Sequence, residues 1–281
     1  MTDPHDITGL DELAQTLRDL RVAVLTGAGC STESGIPDYR GPKTREKTRN
    51  PIQYREFMRQ PHTRQRYWAR SAIGWPRFCQ AKPNSGHEAL ARLEHEGVVR
   101  GVITQNVDRL HHSAGSERVI GLHGALAEVR CMECERIECR HRVQERIEAL
   151  NPGWTEQNVE VAPDGDAELP DGAPDGFQVP ECRGCSGMLK PNVVFFGESV
   201  PNQTVDLAWR LMDEADALLV VGSSLAVYSG YRFVREAVKQ RMPVAILNLG
   251  QTRADDDAWV RVEAKAGEAL PELAQALVGS G

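Results

Sequence analysis

Leu10, Leu13, Leu17 and Leu20 recur at helical spacing, with Asp11 and Glu12 in the first turn, where the positive end of a helix dipole favours carboxylates. The spacing predicts a helix over residues 10–20. It runs into Val22-Ala23-Val24-Leu25, a short apolar stretch closed by Thr26-Gly27-Ala28-Gly29, which reads as a buried strand feeding a glycine turn. Similar runs follow at 98–104, 192–196, 217–221 and 244–247, each bounded by Gly, Asn or polar residues. Helical patterns such as 85–95 and 231–241 lie between several of them. Strands that alternate with helices predict a parallel sheet covered on both faces.

Two stretches break the alternation. Residues 41–75 are basic, carry five aromatic residues and read as mainly helical, with Pro42, Pro51 and Pro61 dividing the helix into pieces. Residues 131–185 hold two Cys-x-x-Cys pairs, and between them 151–180 is rich in Pro, Gly and Asp and reads as an irregular loop. The organisation expected is a Rossmann-like lobe from 1–40, 84–128 and 190–281, with a smaller lobe from 41–83 (helical) and 129–189 (cysteine-bearing). There is no internal repeat.

The 281 residues, 41% of them hydrophobic, suffice for one large domain or two modest ones. The net charge of −7 conceals an asymmetry: residues 40–70 hold ten Lys or Arg against Glu46 and Glu56, whereas 155–181 hold eight acids and no base. The basic stretch fits a small anionic ligand, nucleic acid or a solvated helical face. No apolar run approaches the ~18 to 20 residues of a membrane span, and the first twenty residues carry five acids and one base, unlike a signal or transit peptide. The cytoplasm is the expected compartment. Seven cysteines, an odd number, argue against a disulfide framework.

Candidate chemistry falls mostly at the ends of the expected strands. The segment from Gly27 to Arg40 begins with glycines that let backbone N–H groups approach a pyrophosphate, and a following helix N-terminus would add a favourable dipole. Its third glycine, Gly35, comes too late for an ordinary dehydrogenase fingerprint, and a plain tight turn is the competing reading. Thr104-Gln105-Asn106-Val107-Asp108 can hydrogen-bond a ribose and a carboxamide, or cap a helix. His123, beside Gly124, suits a general base; His87, His95, His111 and His112 read as structural. Residues 191–198 read as an apolar strand, either simple core or an edge for an extended peptide. Gly222-Ser223-Ser224-Leu225 and Asn248-Leu249-Gly250 can meet the rest of a nucleotide.

Cys131/Cys134 and Cys182/Cys185 present two thiolates per turn, the spacing of a structural zinc site, with a redox dithiol as the weaker reading. Four protein ligands leave no open coordination position, so one structural zinc is expected and no metal chemistry. The fold class is therefore α/β, a Rossmann-like parallel-sheet lobe with an inserted smaller helical and zinc-binding lobe.

Taken in order, the segment from Gly27 to Arg40, Thr-Gln-Asn-Val-Asp, Leu122-His123-Gly124, the cysteine pairs, Phe195-Phe196-Gly197-Glu198, Gly222-Ser223-Ser224 and Leu247-Asn248 resemble the sirtuin family across residues 22–270. Tyr39, the stretch Tyr67-Trp68-Ala69-Arg70, the insertion Ala162-Pro163-Asp164-Gly165-Asp166 and the stretch Val227-Tyr228-Ser229-Gly230-Tyr231-Arg232 resemble the class II, sirtuin-4-like branch. Cys30 departs from the usual Ile, a small apolar change of little expected consequence.

The resemblance implies an NAD-dependent protein-lysine deacylase that consumes NAD as co-substrate and yields nicotinamide, free lysine and O-acyl-ADP-ribose. Its implied cofactor residues are Gly27, Ala28, Gly29, Ser31, Glu33, Ile36, Pro37, Asp38, Tyr39 and Arg40; Gln105, Asn106, Val107, Asp108 and His123; and Gly222, Ser223, Ser224, Asn248, Leu249, Gly250 and Ala266. The implied catalytic residues are His123, Asn106 and Asp108, with His123 deprotonating a ribose hydroxyl. Val194, Phe195, Phe196, Gly197 and Glu198 would meet the peptide. Tyr67 and Arg70 resemble the Tyr-x-x-Arg pair that class III sirtuins use to grip acidic acyl groups, or they merely pack the basic helix. Acyl-lysine proteins are the implied partners, with neither membrane nor nucleic acid, and the oligomeric state stays open. Mono-ADP-ribosyl transfer to protein is the alternative activity, and a zinc-ribbon nucleic-acid binder using residues 40–70 is the non-enzymatic one.

Overall fold

A computed structural model describes residues 7–38, 51–156 and 176–279. The chain begins with α1 (Leu10–Leu17), β1 (Val22–Thr26), α2 (Tyr54–Arg59), α3 (Pro61–Phe78), α4 (Ser85–His95) and β2 (Val99–Thr104). Next come α5 (Leu110–Ser113), β3 (Val119–Gly121), β4 (Gly124–Cys131), β5 (Ile137–Cys139), α6 (Arg140–Leu150) and β6 (Leu189–Val193). It continues through α7 (Asn202–Asp213), β7 (Ala217–Val221), α8 (Tyr228–Lys239), β8 (Val244–Leu247), β9 (Val260–Val262) and α9 (Ala266–Val278).

Six parallel strands form the main sheet in the order β3-β2-β1-β7-β8-β9. Strand β1 is buried throughout because both of its faces are apolar. Val22 and Val24 join Leu13, Leu90 and Leu270 in a core under α1, α4 and α9, while Ala23 and Leu25 join Leu211 and Phe233 under α7 and α8. Strand order reverses at β1, with β2 on one side and β7 on the other, and open α/β sheets bind ligands at the carboxyl ends of such a pair.

The insert has its own antiparallel sheet, β5-β4-β6, packed on α2, α3 and α6 through Phe57, Trp68, Val129, Val143, Ile147 and Leu189. The Rossmann-like sheet with a cysteine-bearing insert is the expected architecture, but several details differ.

The strand expected at 192–196 is instead β6, which stops at Val193 and pairs with β4 in the small sheet. Beyond it the ladder cannot continue. The Phe195 N–H is taken by the Glu198 carboxylate at 2.8 Å, and the Phe196 carbonyl by Tyr54 N–H at 2.9 Å. The helix expected to Leu20 ends at Leu17, because Arg18 turns extended and Asp19 takes a positive φ of 61°. Pro61 divides the helical stretch as expected: α2 ends at Arg59, and Pro61 opens α3, where its missing N–H is no loss. Helix α8 starts at Tyr228, three residues before the expected 231. The basic stretch 41–50 and most of the expected loop, 157–175, lie outside the described residues.

The four cysteines of the two pairs converge beside the small sheet, with every pair of sulfurs within 4.8 Å. Cys131 and Cys185 Sγ are 3.5 Å apart, Cys134 and Cys182 Sγ 3.7 Å. Tetrahedral zinc with ~2.3 Å bonds sets sulfurs about 3.8 Å apart, so the four thiols fit it. Backbone N–H groups of Cys134 and Gly184 point at Cys131 and Cys182 Sγ, an arrangement that favours thiolates. Metal analysis is expected to find one zinc per chain. Cys182→Ser should lose most of it and lower Tm by roughly 10 °C, the effect of about 4 kcal/mol in a chain this size; an unchanged Tm with no bound metal would refute the site.

Candidate active site

The turns after β1 and β7 lie backbone to backbone. Gly29 N–H donates to the Gly222 carbonyl at 2.8 Å and Gly27 N–H to the Val221 carbonyl at 3.0 Å. Gly222 has φ +58°, and a Cβ there would come within 2.3 Å of Cys30 N; one at Gly29 would meet the Gly222 carbonyl oxygen at 2.8 Å. Only glycine permits this approach. The helix that follows, Ala28–Ser34, is a 3-10 helix.

Ser31, buried at the centre of that segment, gathers the Thr104–Asp108 loop around itself. Its hydroxyl donates to Asp108 Oδ2 at 2.7 Å and accepts from Asn106 Nδ2 at 3.1 Å. Asn106 Nδ2 also reaches the Gly27 carbonyl at 3.0 Å, and Asp108 Oδ1 caps α5 through Leu110 N–H at 2.8 Å. Asp108 thus bears out the capping reading of this loop and also anchors Ser31. His87 Nδ1 accepts from Asn84 N–H at 3.3 Å, which leaves the proton on Nε2, 3.4 Å from Ser31 Oγ. His87 is therefore both a capping residue of α4 and the orienter of Ser31. Burial pushes His111 down to about 3, and the neutral ring meets the Thr26 hydroxyl at 2.9 Å, a structural role as expected.

Gln105 links the glycine turns to His123. Its side-chain amide donates to Ser223 Oγ at 2.8 Å, and its carbonyl lies 2.9 Å from His123 Nδ1. A carbonyl can only accept, so Nδ1 holds the proton and Nε2 presents a lone pair. Ser229 Oγ is 2.8 Å from that lone pair. Burial pushes the His123 pKa below its usual value; the Gln105 carbonyl opposes the shift and Arg232 adds to it. The ring is a neutral base at neutral pH.

The segment 194–198 begins where Val194 N–H meets the His123 carbonyl at 2.9 Å. Phe195 packs on Phe57 and, at 5.4 Å between ring centroids, on Tyr67, while Phe196 is exposed. Buried Lys190 pairs with Glu198 at 2.9 Å and sits over the Phe195 ring. Burial lowers the Lys190 pKa and Glu198 pulls it back. Gly197, at φ +79°, turns the chain.

Ile36 is buried with Trp75, Leu110 and Leu126, and Val107 packs on the same cluster. Pro37 and Asp38 are half-buried just beyond it, while Tyr39 and Arg40 lie outside the described residues. Glu33 turns away from this group, and its carboxylate accepts Gly267 N–H at 2.7 Å at the start of α9, beside buried Ala266. Ser224 takes Arg253 N–H on its carbonyl, and Asn248 Nδ2 reaches the carbonyls of Leu249 and Gly250. Arg70 lies half-buried one turn beyond Tyr67 on α3. Sequence reasoning missed Ser229, the second role of His87, and Lys190. For His87 a signal existed, the Asn84-x-x-His87 capping spacing; for Ser229 the partner, His123, is 106 positions away.

Residues 27–229 match the Sir2 family. An NAD-dependent protein deacetylase of Xanthomonas axonopodis pv. citri (strain 306) is 53% identical over 269 residues, covering 96% of this chain and 91% of that protein. NAD-dependent protein deacetylase 1 of Mycobacterium avium (strain 104) is 52% identical over 271 residues, 95% of each. Among solved structures, Sir2 with a p53 peptide and NAD+ aligns with a TM-score of 0.76 at 33% identity, covering 94% of this chain and 96% of that one. Sir2 bound to acetylated peptide aligns with a TM-score of 0.76 at 31% identity, covering 96% and 99%. With the family match spanning most of the chain, and half-identical relatives matching nearly its full length, the chain belongs to the Sir2 family.

Proposed function

We propose that this chain is an NAD-dependent protein-lysine deacylase, with His123 as its general base. The observation that carries the reading is the bonded path from the glycine turns through Ser223 and Gln105 to His123, which ends on an unprotonated Nε2. When bound, NAD supplies the ribose carbon that takes the acyl oxygen as nicotinamide departs, and the acyl group leaves on ADP-ribose. With the Gly27 and Gly29 N–H groups bonded to Val221 and Gly222, the turn offers the pyrophosphate the Ala28 N–H and a close backbone approach at the two glycines. Asn106 and Asp108, held by Ser31, orient the nicotinamide end beside Ile36. Ser223, Ser224 and Asn248 to Gly250 hold the adenosine end. His123 takes the proton of a ribose hydroxyl, and the Gln105 carbonyl stabilises the imidazolium that results.

The substrate reading assigns an extended acyl-lysine peptide to residues 194–198. Deacylation gives His123 a defined proton, that of the ribose hydroxyl, and mass left on the target protein distinguishes the alternative, transfer of ADP-ribose to protein. Four close thiols also fit a reducing compartment such as the cytoplasm. No helix among the described residues is long and apolar enough to cross a membrane.

The finer assignment is the class II, sirtuin-4-like branch with a preference for acidic acyl chains. The branch rests on the sequence resemblance, and the acyl preference is supported by Tyr67 and Arg70 standing one turn apart on α3, with the Tyr67 ring against Phe195 of the peptide segment.

Two outcomes test these readings. His123→Ala should cut acyl-peptide turnover at least ~100-fold. With its pKa depressed, His123 keeps its lone pair to lower pH, so the acid-side fall in wild-type kcat/KM should be centred below pH 6.5. A fall centred above that value would refute the buried neutral base. Arg70→Ala should lower kcat/KM on a glutaryl peptide ~10- to 100-fold, the loss of a charge-assisted pair, and leave an acetyl peptide within about twofold. Equal losses on both would end the acyl assignment.

A further inference from the structure

We propose that Ser229 is a catalytic residue of this site, relaying the proton of the ribose hydroxyl to His123. The inference rests on the deacylase reading and adds a residue to it.

The geometry around His123 leaves the imidazole little choice. Its Nδ1–H is committed to the Gln105 carbonyl at 2.9 Å, and its one lone pair, on Nε2, is filled by the Ser229 hydroxyl at 2.8 Å. A substrate hydroxyl reaches Nε2 either by expelling Ser229 or by passing its proton through it. Having donated its hydrogen, Ser229 Oγ has lone pairs for an incoming O–H, and no other hydrogen bond to that oxygen occurs among the described residues.

Expulsion is opposed by how Ser229 is held. It lies in the first turn of the twelve-residue α8, and the next residue, Gly230, packs on the side-chain amide of Gln105. A Cβ at Gly230 would come within 2.7 Å of that amide. Gln105 therefore fixes both ends of the relay, one through its carbonyl and the other through its side chain. The N-terminal end of α8 also favours negative charge developing on Oγ during transfer.

In the step itself, Ser229 Oγ receives the proton of the ribose hydroxyl as that O–H bond breaks and the hydroxyl oxygen bonds to the acyl carbon. Ser229 gives its own proton to Nε2, and His123 becomes the imidazolium with Nδ1–H still on Gln105. One proton leaves the substrate, one arrives on His123, and Ser229 ends with the hydrogen it received.

The test compares wild type with Ser229→Ala and Ser229→Thr. Nicotinamide departs before any base is needed, so Ser229→Ala should retain acyl-peptide-dependent nicotinamide exchange while losing product formation ~30- to 100-fold. Ser229→Thr should recover most of it. The solvent proton inventory should be curved in wild type, with two protons in flight, and straight in Ser229→Ala. In ligand-free protein, the 15N resonance of His123 Nε2 should move downfield in Ser229→Ala as its hydrogen bond is lost. Turnover by Ser229→Ala within twofold of wild type, or an unmoved Nε2 resonance, overturns the relay. Absence of nicotinamide release by the wild type on any acyl peptide would instead overturn the deacylase reading.

Discussion

Everything at the carboxyl ends of the main sheet depends on two turns touching through bare backbone. The Gly29 to Gly222 hydrogen bond, 2.8 Å long, closes the gap between β1 and β7 where strand order reverses. A side chain on either partner would wedge the turns apart. With them closed, Ser31 faces Asp108 and the Gln105 amide spans to Ser223, so the Thr104–Asp108 loop is bonded to both turns. The site is a consequence of sheet topology joined to the absence of side chains at Gly29 and Gly222.

Around this seam the polar groups satisfy one another in sequence. Asn84 N–H feeds His87, His87 and Asn106 feed Ser31, Ser31 feeds Asp108, and Asp108 receives Leu110 N–H. Each donor's direction is set by a neighbour that can only donate or only accept, so the tautomers of His87 and His123 follow from the backbone. A network satisfied in this way is rigid, and it holds Asn106 and Asp108 where a ligand would need them.

What was legible in the sequence was local. The apolar run into Thr26-Gly27, the strand ending at Thr104 and the Cys-x-x-Cys turns each signal themselves within a few residues, and all lie where expected. Strands β3 and β9, of three residues each, are too short to carry a period. The run 192–196 misled because its apolar residues serve two purposes: Leu189–Val193 pairs with β4, and the rest turns under Lys190 and Glu198. Ser229 was invisible as a site residue because its partner, His123, is 106 positions away and α8 begins a turn earlier than its amphipathic pattern.

Glu33 shows how far the glycine turn extends its influence. Its carboxylate clasps Gly267 N–H at the head of α9, the helix that also packs on α1 and α4 at the opposite end of the chain. Undocking of that last helix would therefore free one end of the turn opposite it. The glycine turn and the docking of α9 thus share one contact, between residues 234 positions apart.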